Sequence, residues 1–161
     1  MARNAVDAST PVTAKAAQLS AAGVTSIGRY YNYGAGPKVL TRQEASALIK
    51  EGISIWVVFQ FRNNEAGYFS ASVGRQDALR ALECAHQIVG QPEGTAIYFG
   101  VDYDETGHAY GGSIAPYFKA VRDTFERQDG TMPYQIGVYG NGLVCRKLLE
   151  DGLVTKTWLS C

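Results

Sequence analysis

Two aspartates close an apolar run: Thr95-Ala96-Ile97-Tyr98-Phe99-Gly100-Val101-Asp102-Tyr103-Asp104. An apolar strand that finishes in carboxylates is hard to explain by packing, because a buried charge is costly without a partner. Residues two apart on a strand share a face, so Asp102 and Asp104 are expected to project the same way, about 6–7 Å apart along the backbone. Two acids that close repel, and one holds its proton to higher pH. A protonated acid beside an ionised one is what cleavage of a glycosidic bond needs: one group protonates the leaving oxygen, and the other stabilises or attacks the sugar cation. The structural alternative is that both acids cap the loop or pair with Arg29.

Other polar and aromatic residues stand at the ends of other β-rich runs. Asp7 ends the first, Arg29, Tyr31 and Tyr33 follow the second with period two, Gln60 closes the third, and Tyr139 closes the fifth. The expectation is that Asp7, Arg29, Gln60, Asp102 and Tyr139 share one cleft. The aromatic residues Tyr31, Tyr33, Tyr103 and Tyr139 would offer stacking surfaces at its rim. Glu105 has the opposite parity to Asp104 and enters the site only if the chain turns. His108 and the Arg62-Asn63-Asn64-Glu65 stretch read as solvated loops, the latter placed where it could touch a ligand. His86 reads as structural, and Asp77 as an acid complementing a helix dipole.

The elements that would position these residues alternate. Strands are expected at Ala5–Ser9, Ser26–Asn32, Ile53–Phe61, Thr95–Asp102, Gln135–Gly140 and Thr157–Ser160. Runs apolar on both faces, such as Ile53–Phe59, suit a covered parallel sheet. Helical patterns lie between them at Val12–Ala22, Arg42–Glu51, Val73–Val89, Ile114–Arg127 and Leu143–Glu150. Thr10-Pro11 reads as the start of the first, and Thr41-Arg42-Gln43-Glu44 as a capping box opening the second. Strict β–α alternation implies right-handed parallel crossovers, in an open doubly wound sheet or in a (β/α) barrel. In both, ligands sit at the carboxyl ends of the strands.

Composition fits one α/β domain over residues 1–161, with no linker or low-complexity tract. Fifteen Lys and Arg balance fifteen Asp and Glu, so charge makes no case for nucleic acid or an anionic membrane. No run is long and apolar enough for a membrane span. The start shows no secretory signal, which suggests synthesis in the cytoplasm, with release by a non-classical route left open. Cys84, Cys145 and Cys161 lack metal-site spacing; Cys84 reads as a buried thiol and Cys161 as a free end. No cofactor or metal is called for.

Taken in order, Val6-Asp7-Ala8-Ser9-Thr10-Pro11, Gly28-Arg29-Tyr30, Lys38-Val39-Leu40-Thr41, Phe59-Gln60, Gly74-Arg75-Gln76-Asp77-Ala78, Ile97–Asp104, Gly137-Val138-Tyr139-Gly140 and Thr157-Trp158-Leu159 resemble the Rv2525c-like (DUF1906) glycoside-hydrolase-like family. The resemblance implies a TIM-barrel-like fold distantly similar to lysozymes of glycoside hydrolase family 25, and a peptidoglycan or other polysaccharide ligand. It also implies that Asp7 and Asp102 occupy two of those lysozymes' acidic positions. Asp104 stands where they carry Glu, one methylene longer. Barrels of this family run on past the Trp-Leu strand, so six strands are expected to form an incomplete or truncated barrel. The open edges, Ala5–Ser9 and Thr157–Ser160, would favour self-association or a partner chain. Three functional readings follow: a glycan hydrolase with Asp102 and Asp104 as acid/base pair and Asp7 in support, a glycan-binding module without turnover, or a degenerate structural copy within a phage- or toxin-like assembly.

Overall fold

The computed structural model describes residues 4–34 and 36–160; the free-end reading of Cys161 lies outside them. Six strands form one sheet: β1 (Asn4–Asp7), β2 (Val24–Tyr31), β3 (Ser54–Phe59), β4 (Ala96–Gly100), β5 (Gln135–Gly140) and β6 (Lys156–Leu159). All neighbours pair in parallel and in chain order, β1-β2-β3-β4-β5-β6. A doubly wound sheet reverses its strand order at a switch point. This sheet has none, which decides between the two expected architectures in favour of a barrel-type winding. β1 and β6 are its edges.

Five helices fill the crossovers: α1 (Ala16–Ala21), α2 (Arg42–Lys50), α3 (Ala71–Glu83), α4 (Ala115–Phe125) and α5 (Gly142–Glu150). π-helical turns extend α3 through Cys84–Val89 and lead into α4 through Tyr110–Ile114. The first helical segment begins later than Pro11 suggests, with a 3-10 turn at Thr13–Lys15. At α2 only half of a capping box forms. Thr41 Oγ1 accepts from the Glu44 N–H at 3.2 Å, but the Glu44 carboxylate turns inward to a different partner described below.

Handed winding puts the helices on one face of the sheet. Alternate strand residues therefore pack outward against them: Ile27 and Tyr31 from β2, Val57 and Phe59 from β3, Ile97 and Phe99 from β4, Ile136 and Val138 from β5. Phe99 meets Phe59, Tyr117, Phe118 and Phe125 at ring-centroid distances of 5.8–6.4 Å, the centre of this core. Each such fully buried aromatic or aliphatic side chain is worth roughly 1.5–3 kcal/mol. Cys84 and Cys145 are buried free thiols within it.

The other face is concave. Trp158 of β6 meets Tyr139 of the adjacent strand at 4.7 Å, Tyr98 at 6.3 Å, and Trp56 of β3 at 5.7 Å. β3 and β6 are separated by two strands in the sheet order, so rings on them touch only because the sheet curls. The architecture is a six-stranded half-barrel, open on its concave side.

Candidate functional site

Residues of the concave parity reach the carboxyl rim as Asp7, Tyr30, Gln60, Asp102 and Tyr139. With Lys38, Val58 and Trp158 they line one cavity of about 280 Å³. Asp7 is the last residue of β1 and pairs in register with Gly28. A Cβ on Gly28 would stand 2.9 Å from the Trp56 ring and 3.0 Å from Asp7 Oδ1. Glycine at this position is what lets the indole lie against the sheet beside the carboxylate.

The two carboxylates are each held by one neutral donor. The Tyr30 hydroxyl donates to Asp7 Oδ2 at 2.6 Å, and the Gln60 amide donates to Asp102 Oδ2 at 2.8 Å. Gln60 has its own orientation fixed. Lys38 Nζ donates to Gln60 Oε1, so the amide nitrogen must face Asp102. Lys38 also lies 4.1 Å over the Tyr30 ring. Partial burial lowers the Lys38 ammonium below the usual lysine value, against the opposing pull of Asp7 and Asp102. Burial, then the bond to Asp7, pushes the Tyr30 phenol well above its ordinary value, so it stays a proton donor across the physiological range.

Arg29 and Tyr31 do not join this cavity. They have the opposite parity and point to the helices. Arg29 is fully buried and makes a bidentate pair with Glu44, Nε to Oε1 and Nη2 to Oε2, both at 3.0 Å. Its remaining donors go to the carbonyls of Ala8 and of Pro37, the latter at 3.3 Å. Glu44 Oε1 takes the Val12 N–H as well, at 2.8 Å. Ala8 follows Asp7 and Pro37 precedes Lys38, so the buried pair anchors the two loops that carry those site residues. Tyr31 is buried with its hydroxyl on Gln91 Oε1 at 2.8 Å. The assignment of both as ligand contacts is corrected: β2 has large polar groups on both faces, and the parity read from the sequence was the helix-facing one.

Asp104 and Tyr103 are placed by a turn. β4 ends at Gly100, not at Asp102, and the strand parity expected to align Asp102 with Asp104 lapses there. Asp104 is exposed and is not among the cavity's lining residues. Tyr103 points its hydroxyl to Glu105 Oε2 at 2.9 Å and its ring toward Phe69. Glu105, which the turn brings inward, is buried and also accepts the N–H groups of Gly107 and Ala109 at 2.6 and 3.0 Å. Burial raises its carboxyl, but the bonds from Ala109, Tyr103 and Gly107 outweigh it and hold the group below the usual glutamate value. Glu105 is thus the anchor of the loop. Asp77 also differs from expectation: it is buried within α3 and takes three tyrosine hydroxyls.

The site residues missed by the sequence reading are Tyr30, Lys38 and Trp158. The register signal for Tyr30 is Gly28, two residues earlier on the same face. Lys38 lies in the Lys38–Thr41 run, whose chemistry depends on a loop fold that no periodicity encodes. Among the described residues no group of acidic, histidine or cysteine side chains has the arrangement of a metal site.

The fold is a singly wound, barrel-type parallel half-barrel with two aspartates lining a cavity at its carboxyl rim. Residues 17–159 match the model of the family described as "Rv2525c-like, glycoside hydrolase-like domain", and the chain belongs to that family. It is 32% identical to the "uncharacterized protein YbfG" of Bacillus subtilis (strain 168), over 98% of this chain and 23% of that protein. To the "uncharacterized protein FadG" of the same organism it is 29% identical, over 97% of this chain and 27% of that protein. The chain thus spans about a quarter of the length of these curated relatives. Among solved structures, an uncharacterized B. stearothermophilus protein superposes with a TM-score of 0.69 at 16% identity, covering 96% of this chain and 73% of that one, a likeness of fold.

Proposed function

We propose that the concave cleft takes a sugar of peptidoglycan or a related polysaccharide and cleaves a glycosidic bond beside Asp102, with Asp7 facing the same ring. The observation that carries this reading is that Asp7 and Asp102, from β1 and from the end of β4, line one cavity walled by Tyr139 and Trp158. Carboxylates for the sugar cation and aromatic faces for its ring are the parts that glycoside hydrolysis uses. The chemistry is assigned to Asp7 and Asp102 as the pair. Asp104, on the loop beyond the strand, is tested by its own substitution.

One observation favours a second reading, a binding module. Both carboxylates already accept a bond from a neutral donor. They are therefore set as acceptors for sugar hydroxyls, and neither has a proton-donating arrangement built around it. Release of reducing ends from purified cell-wall glycan separates the two readings. Turnover abolished by Asp102→Asn supports hydrolysis; glycan binding without turnover, weakened by the same change, supports the module.

A further inference from the structure

Lys38 lines the rim cavity together with Asp7 and Asp102, yet it enters no ion pair among the described residues. A lysine beside two carboxylates ordinarily closes on one of them, because a compact ammonium gains most from direct contact. Lys38 contacts two neutral groups instead: it donates to Gln60 Oε1 and lies 4.1 Å over the Tyr30 ring. These are the groups that hold the acids. Gln60 donates to Asp102 Oδ2 at 2.8 Å, and Tyr30 to Asp7 Oδ2 at 2.6 Å. One cation thus stands one group removed from each carboxylate.

Gln60 shows what the cation does. The Gln60 backbone is fixed, its N–H on the Tyr31 carbonyl at 3.2 Å and its carbonyl on the Asn32 amide at 2.9 Å. Neither bond fixes the side-chain amide. A half-turn about its last torsion exchanges oxygen and nitrogen with almost no change of shape, so only hydrogen-bond partners choose between the two orientations. Asp102 is exposed, and a bond from a neutral amide to an exposed acceptor competes with water. The ammonium carries donors and no acceptor, so it admits only the amide oxygen. A cation against the far side of a donor group also draws electron density from it, which strengthens the N–H or O–H facing the acid.

We propose that Lys38 is the positioning residue of this cleft, acting on Asp102 through Gln60 and on Asp7 through Tyr30, and leaving both carboxylates out of ion pairs. The relay stands on its own geometry; its use in handling a glycan rests on the reading of the cleft given above.

The test reads Gln60 first, with no ligand present. The nitrogen–proton resonances of its side-chain amide are identified by their loss in Gln60→Met. Lys38→Met keeps a stem over Tyr30 and removes charge and donor; Lys38→Arg restores both, and thermal melts check that each variant is folded. The expected result is an ordered Gln60 amide in the parent, an order parameter falling toward the flexible range, below about 0.6, in Lys38→Met, and recovery in Lys38→Arg. A pH series on the parent needs no substitution. Partial burial lowers the Lys38 ammonium below its ordinary value, so the Gln60 signals should shift, and the amide lose order, as pH rises through a midpoint below about 10.4. The titratable and charged groups around Lys38 are Asp7 from β1, Tyr30 from β2, Asp102 after β4 and Tyr139 from β5, with Arg62 of the loop after β3 on the adjoining cavity. Absence of the step in Lys38→Met assigns it to Lys38 and not to these neighbours. With chitotetraose as probe, Lys38→Met and Gln60→Met should each weaken binding roughly two- to tenfold, the size of one hydrogen bond, and the double variant by less than the product of the two. A Gln60 amide with the same signals and order in the parent and in Lys38→Met would overturn the assignment. Loss of order in Lys38→Met, with no chitotetraose bound by the parent at millimolar concentration, would sustain the relay and overturn the glycan reading.

Discussion

Asp77 and Asp102 are the same side chain in opposite circumstances. Asp77 is 1% exposed, held inside α3, and takes the hydroxyls of Tyr117 at 2.6 Å, Tyr33 at 2.8 Å and Tyr68 at 2.8–2.9 Å. Asp102 is exposed at a strand end and takes one amide donor, on one of its oxygens. A carboxylate saturated by fixed donors and closed to water can do nothing but hold those donors in place. A carboxylate with one oxygen fixed and the other open to a cavity is oriented yet available. The contrast separates structural from functional acids better than sequence position does, since both follow family-type motifs in the chain.

The largest effect should come from breaking the saturated member. Asp77→Ala strips three tyrosine hydroxyls of their shared acceptor in or near the core. Tyr117 is buried, whereas Tyr68 is half-buried and Tyr33 exposed, so at about 1–3 kcal/mol for a buried polar group left unpaired a loss of about 1–3 kcal/mol is expected. For a chain of this size that corresponds to a fall in Tm of roughly 2–12 °C. Asp77→Asn keeps an acceptor oxygen and should lose markedly less. If Asp77→Ala melts with the parent, the tyrosine cluster is not a stabilising network.

Asp102→Asn should do the converse. Its stability is expected to stay within about 0.5 kcal/mol of the parent, as for a surface substitution. If the cleft hydrolyses glycan, turnover should fall at least about a hundredfold, the size of a general acid–base contribution. Thermal melts and reducing-end release on the same preparations check both halves. A variant that unfolds, or one that turns over normally, would collapse the distinction drawn between the two aspartates.

A pH series sharpens the comparison further. Burial raises the Asp77 carboxyl above its ordinary value, against the three hydroxyl bonds that lower it. The folded state therefore binds a proton at a pH where the unfolded chain has released it. Stability conferred by that proton is present below the unfolded value and is lost as pH rises through the raised folded one. The slope should approach but not exceed about 1.4 kcal/mol per pH unit in that window. Urea melts from pH 3.5 upward, with Asp77→Asn as reference, isolate the component. A difference between parent and variant that is flat with pH, or that rises with it, would contradict a raised carboxyl.

Much of the frame was legible in the sequence, and for physical reasons. Apolar runs such as Ile53–Phe59 mark strands covered by helices on one side and curled over aromatic side chains on the other. Asp7, Gln60, Asp102 and Tyr139 were placed together because strand ends in a parallel winding share one rim. Arg29 and Tyr31 were misplaced because β2 lacks alternation: Arg29, Tyr30 and Tyr31 are all large and polar-tipped, and one residue of parity moves a side chain to the other face. The burial of Arg29 depends on Glu44, fifteen residues on, whose sequence signal as a capping residue concealed its role as a counter-ion. Lys38 was not legible because its position follows from a loop held by Pro37 on Arg29.

Asp104 is where the smallest effect is expected and where strand logic is tested most closely. Its pairing with Asp102 assumed that β4 continues to residue 104. The ladder to β5 instead ends at Gly100, paired with Tyr139. The Asp102 N–H then leaves the sheet for the Asn63 carbonyl, and Glu105 is drawn down by its three donors. Between these two fastened residues Asp104 is turned to solvent. Asp104→Asn should therefore change turnover or glycan affinity by no more than about twofold, some 0.4 kcal/mol. Asp104→Glu, which lengthens the side chain toward the acid of the lysozyme pattern, should be equally quiet. The comparison with Asp7→Asn under identical conditions makes the result decisive. A large effect at 7 and none at 104 assigns the chemistry to the acids that line the cavity. A hundredfold loss at 104, or a clear gain with Glu there, would mean that the loop refolds over bound glycan, bringing Asp104 to the ring and leaving Asp7 in support.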